Sequence, residues 1–383
     1  MSYKKYQQRL LMRYPAIQDL ARKAQKRIPY VAWAYLESGT SEEYLLQKNI
    51  DALKKLTILP QFCKGELNPK LQTQLLGQTY DAPFGIAPVG LTGLMWPKTE
   101  IILAKTANKY NIPYCLSTVA TETPERVGPH VGNMGWFQLY PPRERDLRKK
   151  LLERAKQTGF HTLVVTADVP TPSRREPSKR AGLHIPPKIT PSFIWQALTR
   201  PRWTFATLQN GLPKLRTMAD YADFDSMASV ASFVANHLGG NLSWEYCKEL
   251  REEWDGPIII KGLLHPKDAE QAIQIGLDGI VVSNHGARQF DGAPPAIEAL
   301  PEIVKLAKGK TAILFDSGLR TGADILRALH LGADFVLLGR AFIYGTAALG
   351  KYGGDHVAEI LIDDLKNNMI QIGVETIDQI QSA

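Results

Sequence analysis

The chain has 383 residues, 44% apolar and 22% charged, a globular balance that excludes wholesale disorder. No run approaches the ~20 uninterrupted apolar residues that span a bilayer, and Cys63, Cys115 and Cys247 lack the number and spacing of a disulfide framework or zinc site, which favours a reducing compartment. The net charge of +8 is local: residues 1–36 carry a net +7 and residues 174–217 a net +8, so the remainder is mildly acidic.

In chain order, the first pattern is a basic amphipathic helix over Lys4–Lys26, followed by a second helix over Tyr30–Glu37. A transit peptide is one reading of the first. It has no apolar h-region and no small-residue cleavage site, and the plainer reading is a helix that closes the bottom or side of the fold. Eight short apolar runs follow: Phe84–Val89, Pro113–Ser117, Trp136–Tyr140, Thr162–Ala167, Ile258–Lys261, Gly279–Ser283, Ala312–Phe315 and Phe335–Leu338. Helical patterns lie between them at Glu100–Tyr110, Glu144–Gln157, Pro266–Ile275, Ala296–Ala307 and Gly322–Leu331. Pro266 suits a helix first turn, and Gly159 and Gly276 suit helix ends.

Eight strands alternating with helices predict a (β/α)8 TIM barrel, although a doubly wound sheet shares the alternation. About 95 residues separate the fourth run from the fifth, with eight prolines from Pro170 to Pro213, which predicts an insertion rather than another repeat. The expected organisation is one domain over 1–383: an N-terminal helical segment (1–80), a barrel (81–350), an insertion after strand four (171–240) and a C-terminal helix (351–383).

Barrel chemistry gathers where strands end. Here the third run ends in Gln138 and Tyr140, the fourth in Thr166 and Asp168, and the fifth in Lys261. The sixth opens into Asn284, His285, Arg288 and Asp291, the seventh ends in Asp316, and the eighth in Gly339 and Arg340. The Gly/Arg turns at Asp316–Arg320 and Gly339–Arg340 precede helices, a combination that suits phosphate. Each glycine alone would read as a plain turn. No GxGxxG follows an early strand and no P-loop is present, which argues against a Rossmann site or an NTPase. His285 is a candidate base and Asp168 its carboxylate support, with a turn cap as the alternative role for Asp168. Arg175 and Arg288 suit a substrate carboxylate, with solvated charge as the alternative. Lys261 would place positive charge beside a reduced flavin; its competitor role is a Schiff-base amine.

At SNHGARQFD (283–291) the chain resembles the FMN-dependent 2-hydroxy-acid oxidases and dehydrogenases. Within that family it looks most like the bacterial quinone-linked L-lactate dehydrogenases, with mandelate dehydrogenase and glycolate oxidase as relatives. The resemblance covers nearly the whole chain, through YLESG (35–39), APVG (87–90), LSTVA (116–120), WFQLY (136–140), VTADVP (165–170), IIIKG (258–262) and FDSGLRTGADILRALHLGADFVLLGRAF (315–342). It implies that His285 takes the substrate proton, supported by Asp168, with Tyr140 and Lys261 also catalytic. Tyr35, Tyr140, Arg175 and Arg288 would hold the substrate. Pro88, Val89, Gly90, Ser117, Gln138, Thr166, Lys261 and Ser283 would meet the flavin, and Asp316, Gly318, Arg320, Gly339 and Arg340 its ribityl and phosphate. No metal is implied. A quinone or another acceptor would take the electrons, and the expected assembly is a homotetramer.

Four positions depart from or divide the family pattern. Ala287 and Phe290 stand where the family usually has Gly and Leu; if position 287 needs positive φ, Ala costs roughly 1 kcal/mol there. Val119 replaces the bulky Trp of glycolate oxidases, which suits a substrate side chain beyond glycolate, such as that of lactate. Gly90 resembles dehydrogenases that avoid oxygen, where oxidases tend to have Ala. In the insertion, Arg200, Arg202, Lys214 and Arg216 are interleaved with Phe193, Trp195, Trp203 and Phe205, and with Ile185, Ile194, Leu198 and Leu208. That mixture suits an anionic membrane surface at 184–210, with an active-site lid or subunit contact as the alternative. The expected location is cytoplasmic, peripheral on the inner membrane. Nucleic acid is not expected. The rivals are a mandelate or longer-chain enzyme, one that uses oxygen, and a degenerate barrel that binds FMN or membrane without turnover.

Overall fold

Two short helices, Tyr3–Arg13 and Ile17–Arg27, open the chain in the computed structural model, which describes residues 3–183, 190–221, 233–234, 236–240 and 242–382. The continuous helix expected over Lys4–Lys26 therefore breaks around Pro15, whose ring and missing N–H disfavour continuation. Ile17, Leu20, Ala21 and Ala24 form the buried stripe of the second helix, which packs against helix Arg340–Leu349 at the side of the fold. Helices Tyr30–Glu37 and Tyr44–Lys55 follow, the second of them unanticipated.

A two-stranded antiparallel hairpin, β1 (Thr73–Leu75) and β2 (Gln78–Tyr80), also lies in the segment expected to be helical. It has a specific task. The Tyr80 ring meets Trp136 and Phe335, which lie at strand starts, at centroid separations of 6.3 and 5.6 Å. Trp136 Nε1 also donates to Tyr80 Oη at 3.2 Å. The hairpin, rather than the basic helices, thus plugs the N-terminal end of the barrel.

The barrel strands are β3 (Phe84–Ile86), β4 (Tyr114–Ser117), β5 (Gly135–Leu139), β6 (Thr162–Thr166), β7 (Ile258–Leu263), β8 (Gly279–Val282), β9 (Ala312–Phe315) and β10 (Phe335–Leu338). They close in the order β10-β3-β4-β5-β6-β7-β8-β9, all parallel. Every residue of β5, β6, β8 and β10 is buried. Burial on both faces explains why these strands read as continuous apolar runs instead of alternating ones. Between β6 and β7 the insertion contributes helices Glu176–Arg180, Pro191–Leu198, Pro201–Asn210 and Arg216–Ala219 before the crossover helix Trp244–Glu253. Helices Gly353–Ile372 and Ile377–Gln381 end the chain.

Candidate active site

Parallel register aligns the polar strand ends. Ser117 pairs across from Gln138, and Thr166 from Lys261. Ser117 Oγ donates to Gln138 Oε1 at 2.8 Å, and Gln138 Nε2 donates to Thr166 Oγ1 at 2.9 Å, so three neighbouring strands present one connected polar edge. On β7, Lys261 Nζ lies 2.9 Å from Asp316 Oδ2 and donates to Ser283 Oγ at 2.9 Å. Burial alone would lower its pKa; the charges of Asp316 and Asp168 outweigh burial and hold it above 10.5. Its bonds to Asp316 and Ser283 favour the ammonium over the neutral amine that a Schiff base requires.

His285 Nδ1 lies 2.8 Å from Asp168 Oδ1. Burial would push the Asp168 carboxyl up, but the charges of His285 and Lys261 and the His285 hydrogen bond together hold it below 3.8. The dyad depends on a glycine of β7. Gly262 has φ +109°, and a Cβ there would lie 2.4 Å from Asp168 Cγ. Only a residue without a side chain lets the carboxylate approach this closely.

His285, Gly286 and Ala287 all have positive φ, at 57°, 62° and 65°. The left-handed conformation anticipated at Ala287 is thus real, and its methyl is fully buried. Several bonds hold this loop. Ser317 Oγ accepts from Asn284 N and Gly286 N, and Ser283 Oγ accepts from His285 N. Asn284 and Asn49, on helix Tyr44–Lys55, exchange side-chain amide bonds of 3.0 and 2.7 Å while both are buried. Asp291 caps that same helix by accepting from Tyr44 N and Leu45 N. Phe290 points away, 69% exposed.

Four arginines converge on the mouth. Arg175 and Arg288 each lie 5.5 Å from the centroid of the Tyr35 ring, whose hydroxyl donates to Gly90 O at 3.1 Å. Arg288 Nη1 donates to Tyr35 O at 3.0 Å. Its pKa is driven well down, first by burial and then by the charges of Arg340 and Arg175. Arg320 lies over Tyr344. Arg340 donates to Leu36 O, Gly286 O and Ser38 O at 3.0–3.1 Å. These three bonds tie the His285 loop to the end of helix Tyr30–Glu37, while the guanidinium also lines the cavity and keeps an N–H on each Nη for an anion. Positive groups packed this closely, with no carboxylate bonded to Arg175 or Arg288 among the described residues, form a site that favours bound anions.

Tyr35, Pro88, Val89, Gly90, Gln138, Tyr140, Thr166, Arg175, Lys261, His285, Arg288, Asp316, Gly318, Arg320, Gly339 and Arg340 all line one cavity of about 980 Å³, its open mouth included. Ser117, Asp168 and Ser283 stand behind that wall, bonded to Gln138, His285 and Lys261 respectively. Sequence reasoning missed Asn49, Gly262 and Ser317. Only Ser317, inside the Gly-rich turn, carried a local signal.

Residues 24–383 match the family model of the FMN-dependent dehydrogenases. The chain belongs to that family, and its cofactor is FMN. A crystal structure of the monotopic membrane protein (S)-mandelate dehydrogenase is 34% identical, covering 95% of this chain and 97% of that one with a TM-score of 0.91. A crystal structure of mandelate oxidase is 30% identical, covering 96% and 97% with a TM-score of 0.82. The residues fit the cofactor. Gln138 and Thr166, with Ser117 bonded behind Gln138, offer amide and hydroxyl groups to a polar ring edge, and Lys261 offers a cation. A Cβ on Gly90 would approach Val119 Cγ2 to 2.6 Å, and one on Gly318 would approach Leu53 to 3.0 Å, so both turns are shaped around missing side chains.

Proposed function

We propose that this chain oxidises a small L-2-hydroxy acid, foremost L-lactate, to the 2-oxo acid and passes the electrons to a quinone or another acceptor other than oxygen. The observation that carries the reading is the 2.8 Å His285–Asp168 pair in the arginine-rich cavity. Bound FMN supplies a two-electron acceptor. With Nδ1 turned to Asp168, His285 Nε2 is left to take a substrate proton, and the ionised carboxylate stabilises the resulting imidazolium. Arg175 and Arg288 hold the substrate carboxylate beside Tyr35. Burial pushes the Tyr140 phenol up to about 12, so it stays a hydrogen-bond donor to the substrate oxygen at neutral pH. Lys261 would supply positive charge to the cofactor ring. Arg320, Arg340, Asp316 and the turns at Gly318 and Gly339 would hold its ribityl and phosphate.

Mandelate is the second reading, favoured by the likeness to (S)-mandelate dehydrogenase and by the modest bulk of Val119 and Gly90 at the cavity wall. A panel of L-lactate, L-2-hydroxybutyrate and (S)-mandelate, crossed with oxygen and a short-chain quinone, tests both. The lactate reading predicts the highest kcat/KM for L-lactate with quinone; a preference for mandelate reverses the order, and fast oxygen consumption overturns the choice of acceptor.

The reading extends to a peripheral enzyme on the cytoplasmic face of the inner membrane, acting as a homotetramer of single-domain chains. Ile194, Trp195, Leu198, Phe205 and Leu208 of the insertion are exposed, an apolar patch that supports membrane contact. Trp203, expected to face outward, is buried and donates to Leu94 O at 3.0 Å, with Phe193 packed edge-on against it. These two rings anchor the insertion to the barrel. Residues 184–189, including Ile185, lie outside the described residues. No helix among the described residues is long and apolar enough to cross a membrane.

A further inference from the structure

Beside the insertion lies a second groove, away from the candidate active site, whose composition is amphipathic. Its floor includes Trp96 and Ile101, both packed on the core, and Trp96 also carries the Arg27 guanidinium 3.8 Å above its ring. Lys98, Lys105, Lys109 and Lys351 line it, against a single acid, Asp355. Asp355 is engaged with Lys109 at 2.7 Å and Thr106 at 2.8 Å. Lys98 also feels the more distant Glu122. Lys98, Lys105 and Lys351 are exposed and form no ion pair among the described residues. The far wall is Ala206, Gln209 and Asn210, all on insertion helix Pro201–Asn210. One turn before Gln209, on the same helical face, stands exposed Phe205.

We propose that this groove is a binding site for the headgroup of an anionic phospholipid. It rests on the membrane reading above and adds a lipid preference to it. The lysines supply the charge complement for a phosphate-bearing headgroup, the apolar floor accepts the glycerol region, and Phe205 borders the path by which acyl chains return to the bilayer. Each exposed lysine near an anionic surface strengthens binding, so loss of all three, Lys351 with its stacking on Tyr352 included, weakens it by about fivefold or more.

The test uses the holoenzyme in two arms. In the first, cosedimentation compares phosphatidylcholine vesicles with vesicles containing phosphatidylglycerol, for wild type and for the triple variant K98Q/K105Q/K351Q. The expected result is a wild-type preference for anionic vesicles of roughly tenfold or more, cut at least fivefold in the variant, with FMN content and hydroxy-acid turnover unchanged. An undiminished preference in the variant overturns the site and assigns the charge effect elsewhere. The second arm titrates monomeric dihexanoyl phosphatidylglycerol, read by Trp96 fluorescence through loss of the signal in Trp96→Phe, with inorganic phosphate as competitor. Saturable binding supports the headgroup site even if vesicles are not bound, which would defeat the membrane reading alone. No binding of the monomeric lipid, or equal occupancy by inorganic phosphate, overturns the lipid assignment.

Discussion

Gly262→Ala tests whether the close approach of Asp168 to β7 positions the base. The added Cβ meets Asp168 Cγ at 2.4 Å, Cβ at 2.5 Å and Oδ2 at 2.7 Å, on a backbone with φ +109°. Neither strain can relax alone, because the strand is fixed by its neighbours and the carboxylate by His285. Holding Ala at this φ costs about 1–3 kcal/mol. Pushing Asp168 aside breaks a charge-assisted hydrogen bond of about 1.5–3 kcal/mol. The variant should lose about 3–5 kcal/mol of stability. If about 2–3 kcal/mol of that loss falls on base positioning, flavin reduction slows roughly 30- to 150-fold. Gly276→Ala is the matched control: it has φ +78°, a helix C-cap, and nothing within 4 Å of an added Cβ. It should cost about 1 kcal/mol of stability and leave turnover untouched. The assay is anaerobic stopped-flow bleaching at 450 nm, with FMN content measured for each protein. Bleaching of Gly262→Ala within twofold of wild type would refute the reasoning.

Three further outcomes follow from the same geometry. Ala287→Gly relieves about 1–2 kcal/mol of left-handed strain but loses a buried methyl worth about 0.8 kcal/mol and adds unfolded-state freedom, so its stability should lie within about 1 kcal/mol of wild type by urea denaturation; a loss above 3 kcal/mol would contradict the opposing terms. Asn49→Leu removes both bonds to the Asn284 side chain, which keeps only Pro294 O and Ala287 N, and takes the side-chain acceptor from Ala296 N; it should reduce stability by about 2–4 kcal/mol while lowering kcat more than it raises KM, whereas an unchanged kcat would show that the amide pair does not position His285. Asp168 is ionised more readily in the fold than its reference value of 3.8, so it contributes stability above about pH 4 that is lost as pH falls through the lower folded value. Asp168→Asn should therefore flatten the acid limb of Tm against pH, and an unchanged limb would argue against the depressed carboxyl.

The barrel was legible because each strand is a continuous apolar run bounded by turn residues, and because polar groups stand at successive strand ends. Helix ends at Pro266 and Gly276 were readable for the same local reasons. The β1–β2 hairpin was not, since three-residue strands carry too little pattern; Tyr80 matters through rings distant in sequence. The place of a site residue was legible where a strand end sets it, as for His285 and Lys261, both of which line the cavity. It was illegible where tertiary geometry assigns the task. Nothing in the sequence around Asn49 marks an amide partner for the His285 loop, and nothing around Gly262 marks the space Asp168 occupies. Arg340 shows a second layer of the same kind: the Gly-Arg pair at a strand end is visible in the sequence, but the three backbone carbonyls its guanidinium meets are not.

The central claim is that His285 is the base of a flavin-linked hydroxy-acid oxidation. The direct measurement mixes L-lactate, anaerobically, with FMN-loaded wild type and with equally FMN-loaded His285→Ala, following the flavin at 450 nm. The account predicts rapid bleaching of the wild type and loss of at least a thousandfold in rate for the variant. Bleaching of His285→Ala at the wild-type rate would contradict it, as would a wild-type flavin that no L-2-hydroxy acid reduces.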